Sequence, residues 1–141
     1  MPEDVPDDFN FHVKFGIQSK NEINTFENTV TKDLIEDGTE TTDITFTDEE
    51  ITDIYEKMKD INIMENKQLE PKNPDCMQTP HTEDEWKIEM DGEIQTHAWS
   101  GEYCDPTKDA QQLKELRDDI FHLVKNKQAY QELPEPTGGY D

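Results

Sequence analysis

The side chains with chemistry to offer are two cysteines, four histidines and a large excess of carboxylates. Cys76 and Cys104 form no Cys-x-x-Cys pair, and spacing alone cannot join them. A bond between them would close a loop of roughly 28 residues and contribute about 3–4 kcal/mol if unstrained. An even cysteine count in a small, acidic, core-poor chain fits an oxidising compartment, so the pair is a disulfide candidate. The other reading is two unrelated thiols in a cytosolic protein. A metal site needs clustered ligands, and the candidate set is Cys76, His81 and Cys104 with Glu83 or Asp84 nearby. No paired histidines at helical spacing and no Asp-x-Asp-x-Asp-Gly loop accompany it, so no metal is expected. His12 and His97 are expected on outward strand positions and His122 on a helix flank, none with a catalytic role. The chain has no Gly-x-Ser-x-Gly setting and no glycine-rich phosphate loop. Among 35 acids, carboxylate pairs at glycosidase-like separation arise by chance and name no reaction. The expectation is therefore a protein without catalytic residues or cofactor, a hydrolase using carboxylates in its long loop ranking last.

The charge narrows the partners. Thirteen Lys and Arg against 35 Asp and Glu in 141 residues give −22, which repels nucleic acid and anionic membrane surfaces alike. The longest apolar runs are only a few residues, too short for a transmembrane helix. The acids crowd residues 3–8, 36–60, 83–93 and 102–119, mixed with lysines, as on a solvated surface. The sharper reading is a protein that plugs a basic cleft, as inhibitors and immunity proteins do.

Leu, Ile, Val and Phe make up just under a fifth of the chain, so folding depends on where they fall rather than on their number. Residues 1–8 read as a flexible acidic lead-in. From Phe9, the residues Phe11, Val13, Phe15 and Ile17 alternate with polar ones, predicting a strand with one buried face. The β-favouring run from Ile23 to Thr31 predicts a second strand, and Thr42, Ile44 and Phe46, after the Asp37-Gly38 turn, a third. Thr47 with Glu50 is a capping box that opens a helix whose buried stripe is Ile51, Ile54, Tyr55, Met58 and Ile61. Residues 65–84 read as a long loop, a place to look for a site.

Trp86, Ile88 and Met90 before Asp91-Gly92, with Ile94, Thr96 and Ala98 after it, predict a hairpin. A two-residue turn would oppose Ile88 to Gln95 and Trp86 to His97, mixing apolar with polar. A three-residue loop, Met90-Asp91-Gly92, with a left-handed Gly92 opposes Ile88 to Ile94 and Trp86 to Thr96, and is the expected register. Asp105-Pro106-Thr107 then starts a second helix with proline at its first position and with Leu113, Leu116, Ile120, Leu123 and Val124 on one face. It is expected to run, with a break, to Tyr130 and to end before Pro134. The order β-β-β-α-β-β-α predicts a single α+β domain over residues 9–133. It is an antiparallel sheet of about five strands with two helices packed on one face, followed by a tail from 134 to 141. Phe9, Phe11, Phe15, Phe26, Phe46, Tyr55 and Trp86 are expected to supply much of the burial.

The segments FHVKFGIQSKNEINTFENTVTKDLI, TDEEITDIYEKMKDINI and WSGEYCDPTKDAQQLKEL, with the ending LPEPTGGY, cover roughly half the chain. In them the chain resembles a family of small, uncharacterised secreted or lipid-anchored proteins of Bacillus-like Gram-positive bacteria. The resemblance implies an extracytoplasmic home behind an export signal, and no activity. Met1-Pro2-Glu3 carries neither a charged nor an apolar export region, so the expectation is a sequence from which that signal is absent, any membrane attachment lying in an anchor outside it. The functional expectation is an extracytoplasmic, monomeric binding domain for an unknown protein or small ligand. The alternative is an acidic inhibitor or immunity-type protein that blocks a basic partner.

Overall fold

The computed structural model describes residues 2–69, 83–100 and 107–135. The described residues form an α+β fold. A six-stranded, wholly antiparallel sheet is built from β1 (Asn10–Phe15), β2 (Asn21–Asn24), β3 (Thr29–Asp33), β4 (Thr39–Asp43), β5 (Glu83–Met90) and β6 (Glu93–Ser100). Its order is β4-β3-β2-β1-β5-β6. Helix α1 (Asp48–Asp60) joins β4 to the second half of the sheet, and α2 (Lys108–Lys125) and the short α3 (Gln128–Gln131) follow β6.

The alternation in β1 makes it the centre. Phe11, Val13 and Phe15 are buried on the face that meets Ile54, Tyr55 and Met58 of α1 and Leu113, Leu116, Ile120 and Val124 of α2. Asn10, His12 and Lys14 point to the other face, which no helix among the described residues covers. With so few aliphatic residues, only one side of the sheet can be sealed. Both long helices start as their sequences dictate. Thr47 Oγ1 accepts from Glu50 N at 3.1 Å while Glu50 Oε1 accepts from Thr47 N at 2.8 Å. Thr107 Oγ1 accepts from Ala110 N at 3.1 Å, so α2 begins at Lys108 behind a Thr107 cap, while Asp105 and Pro106 of the expected start lie outside the described residues. The expected break falls at Asn126, and α3 is a third helix beyond the two expected.

Several expectations are corrected. The run from Ile23 to Thr31 is two strands, because Asn24 Oδ1 accepts from Glu27 N at 3.2 Å and Asn28 turns left-handed at φ +58°, folding the chain back on itself. Phe26, at the tip of that turn, is 36% exposed and lies under the Lys87 ammonium instead of in the core. The third strand ends at Asp43, leaving Ile44 and Phe46 to pack as the chain crosses toward α1. Gly16, at φ +90°, brings the backbone so close to Asn21 that a Cβ would stand 2.4 Å from its Nδ2. Its carbonyl accepts from Ser19 N at 3.1 Å and from Glu83 N at 3.0 Å, tying the end of β1 to the start of β5.

The hairpin takes the two-residue turn. Asp91 and Gly92 both have positive φ, +51° and +75°, and Met90 opposes Glu93, Ile88 opposes Gln95 and Trp86 opposes His97. That backbone matches the right-handed twist of the flanking strands, and this outweighs apolar pairing across the hairpin. Ile94 is accordingly left 59% exposed while His97 is buried at 5%. The acidic lead-in reinforces the turn. Asp8 Oδ1 accepts from Asp91 N at 2.7 Å and Oδ2 from Gly92 N at 2.8 Å, and these bonds hold the Asp8 carboxyl below its usual range. Val5 packs against the core, and the Tyr55 hydroxyl donates to the Pro2 carbonyl. Gly92→Val, forcing a β-branched residue to positive φ where a Cβ meets no neighbour within 4 Å, is expected to lower unfolding free energy by about 1–2 kcal/mol. Asp91→Asn is expected to change it by no more than about 0.5 kcal/mol, since Asn tolerates that region. Equal losses in urea titrations would contradict a turn with both residues left-handed.

Candidate functional site

Cys76, His81 and Cys104 lie outside the described residues, and the disulfide and metal readings with them. Of the other proposed ligands, Glu83 is exposed at the start of β5 and Asp84 is buried at 1%. Asp84 Oδ2 meets Arg117 Nη1 of α2 at 2.5 Å. The guanidinium is clamped further by Asp118 Oδ1, 3.0 Å from Nη2, and stands 5.6 Å over the Phe15 ring. Burial pushes the Asp84 carboxyl above the usual carboxylate range, and the Arg117 charge pulls against it. Asp84 Oδ1 and, two residues along the same face of β5, Trp86 Nε1 are buried with no hydrogen-bond partner among the described residues. Among the described residues no three of His, Cys, Asp and Glu stand together as a metal site.

The histidines part company. His122 is exposed on α2, and His12 stands on the uncovered face with Nε2 2.7 Å from Glu22 Oε1, near enough for charge pairing though out of line for a hydrogen bond. His97, expected to face outward, is on the core side because of the hairpin register. Its Nε2 is 2.6 Å from the Ile63 carbonyl, so that nitrogen carries the proton and donates. Burial lowers its pKa, which the Ile63 carbonyl opposes. Gln95, on the same face, donates to Met64 O at 3.0 Å. The segment after α1 is thus held under β6, and it reaches α2 where Gln68 N donates to Asp109 Oδ2 at 2.9 Å and Gln68 O accepts from Thr107 Oγ1 at 2.6 Å. The described part of the long loop is anchored.

Two concavities adjoin the sheet. A shallow hollow of about 290 Å³ on the uncovered face is lined by His12, Lys14, Glu85, Lys87, Thr96 and Ala98, so cations gather there in a strongly acidic protein. A larger cleft of about 690 Å³ opens at the β4 end of the sheet. Glu27, Asn28, Asp43, Ile44 and Thr45 form one wall, and Lys127, Gln128 and Ala129 at α3 the other. Lys127 is spoken for: its Nζ is 2.7 Å from Glu50 Oε1 and 5.2 Å over Phe46. Burial opposes the shift, yet the Lys127 ammonium and the Thr47 N–H hold the Glu50 carboxyl below its usual range.

The two sheet edges differ. Along β4, Ile44 N donates to Asn28 O at 2.9 Å and Leu34 N to Gly38 O at 2.8 Å. By the alternation of an antiparallel ladder, Glu40 and Thr42 then face β3, while Thr39, Thr41 and Asp43 direct their N–H and C=O groups away from the sheet. On β6 the same logic turns Ile94, Thr96 and Ala98 outward, but Thr96 N donates to the Oε1 of its neighbour Gln95 at 3.0 Å. Sequence reasoning missed the cleft because it requires the split into β2 and β3 and the third helix. The chain matches no family model, no curated protein and no solved structure.

Removing one partner of the buried ion pair strands the other. Arg117→Met is expected to lower unfolding free energy by about 3–5 kcal/mol, and adding Asp84→Asn to recover part of the loss. A loss under about 1 kcal/mol in urea unfolding would mean that the pair does not hold α2 to β5. His97 gives a pH signature. Its folded pKa lies below the ordinary 6.5, so the unfolded chain takes up the proton first as pH falls. Its contribution to stability is complete above about pH 6.5 and declines below it. The drop in unfolding free energy between pH 7 and 5.5 is expected to be smaller in His97→Gln than in the parent. An unchanged slope would exclude His97 as its source.

Proposed function

We propose that the chain is a non-catalytic, monomeric interaction domain that works outside the cytoplasm and binds a protein partner. The observation that carries this reading is the distribution of cover over the sheet. Both long helices seal one face, while the other face and the cleft at its β4 end expose charged and polar side chains of both signs. The buried charges Asp84 and Arg117 bind each other. The extracytoplasmic home rests on the resemblance to small secreted or lipid-anchored proteins of Bacillus-like Gram-positive bacteria, and a Cys76–Cys104 bond would suit it.

A second reading, an acidic inhibitor or immunity-type protein, is favoured by a strip on the exposed side of α1. There Asp48, Glu49, Asp53 and Glu56 border a hollow of about 480 Å³ with Thr52. Such a strip would steer a basic partner into place.

One experiment addresses location and partner together. Intact cells of the source organism are treated with a membrane-impermeant amine-reactive cross-linker, and the protein is then isolated without reductant and weighed. The expected result is one defined cross-linked adduct and, in the free protein, a mass two hydrogens below that of the dithiol form. Protection from the reagent in intact cells, with two freely alkylating thiols, would overturn the extracytoplasmic reading. Full labelling without any adduct would overturn the interaction reading.

A further inference from the structure

We propose that the outer edge of β4, with the cleft between its end and α3, takes an extended, lysine- or arginine-rich segment of a partner protein as a seventh strand. The inference deepens the interaction-domain reading and rests on it.

Exposed edge strands invite pairing with other chains, and proteins blunt them with lysine, proline, bulges or covering segments. The β6 edge is blunted in this way. Gln95 Oε1 occupies the Thr96 N–H, and Gln95 is itself fixed by Met64 O at 3.0 Å and Asn66 Oδ1 at 3.3 Å. Among the described residues the β4 edge carries no lysine, proline or bulge. Its five residues, Thr39-Glu40-Thr41-Thr42-Asp43, all pair with β3, and all but Thr42 are exposed. The backbone groups of Thr39, Thr41 and Asp43 point outward, and among the described residues no backbone stands against them.

Beside the edge lies a helix. The cleft of about 690 Å³ is bounded by the end of β4 on one side and by α3 on the other, the arrangement in which an added strand gains main-chain hydrogen bonds from the edge and side-chain contacts from the helix. Charge selects the occupant. Glu27 and Asp43 line the groove and Glu40 stands exposed on β4 itself, none with an ion-pair partner among the described residues, whereas Lys127 is already neutralised by Glu50. A second copy of the chain would bring a further −22 and set Glu40 and Asp43 against their own kind, so a cationic segment is favoured over self-association.

The test uses the whole protein and an acetylated, amidated eight-residue peptide of alternating lysine and valine. Alongside it run a glutamate–valine counterpart and two lysine–valine versions with one or the other alternate set of backbone amides N-methylated. The lysine–valine peptide is expected to shift the backbone amide signals of Thr39, Thr41, Asp43 and Gln128 and to slow hydrogen exchange at Thr41. One methylated set is expected to weaken binding about tenfold or more while the other is tolerated, and the glutamate peptide not to bind. Thr41→Pro removes an N–H that faces away from β3, so the ladder within the protein is left intact. It is expected to melt within a few degrees of the parent and to bind about tenfold more weakly. Should that variant fail to fold, Asp43→Lys serves, expected to weaken the lysine peptide about fivefold.

No binding at millimolar peptide, equal binding of both methylated versions, unaltered binding by folded Thr41→Pro, or shifts centred on His12, Lys14 and Lys87 would each overturn the edge proposal. So would a concentration-dependent dimer that protects the same amides. None of these results touches the cross-linking outcome on which the broader reading depends.

Discussion

A two-residue turn decides which side of β6 meets the core, and much of the molecule follows from that choice. With Asp91 and Gly92 both at positive φ, Gln95 and His97 must point toward the helices. A buried amide or imidazole left without partners would be destabilising, so both side chains find carbonyls in the segment after α1. That requirement lays residues 63–66 beneath the strand and brings Gln68 to the start of α2, where it meets Asp109 and Thr107. The Asp8 carboxylate closes the circuit by binding the two N–H groups of the turn. The register that looks wasteful by apolar matching connects lead-in, hairpin, loop and helix into one hydrogen-bonded frame.

Where one period ran unbroken, the sequence was legible. Five alternating apolar residues identified β1, the Thr47 and Glu50 pair marked the start of α1, and the aliphatic stripe from Leu113 to Val124 identified α2. Failures came where local chemistry competed with pattern. The run after Ile23 looks continuous because Asn24 and Asn28 act through a side-chain hydrogen bond and a left-handed φ, neither visible as a change of hydrophobicity. Apolar matching points to the wrong hairpin register because the backbone twist that an Asp-Gly turn satisfies outweighs it. The partner of Asp84, Arg117, lies on a different element far along the chain and leaves no mark in the local pattern. The cleft at β4 could not be anticipated without first recovering the split strands.

The use of cations explains how a chain of this charge folds. Several of the few that exist join elements: Arg117 ties α2 to β5, Lys127 ties α3 to the cap of α1, and Lys57 lies between Asp53 of its own helix and Asp119 of α2. Spending cations at joints leaves most surface acids uncompensated, and the resulting field reaches beyond the surface by about a Debye length. The same economy leaves only enough apolar material to cover one face of the sheet. Charge and exposed sheet are therefore two results of one composition.

The position of β1 has a mechanical meaning. Antiparallel β2 and β5 flank it on both sides, with ladder bonds perpendicular to the strand axis. Tension entering ahead of Pro2 would first strain the attachments at Tyr55 and at the hairpin tip, then load β1 along its length. Both ladders would be sheared at once instead of unzipped bond by bond. Held from that end, the domain would bear a pull as a rivet bears load, across all its fasteners together.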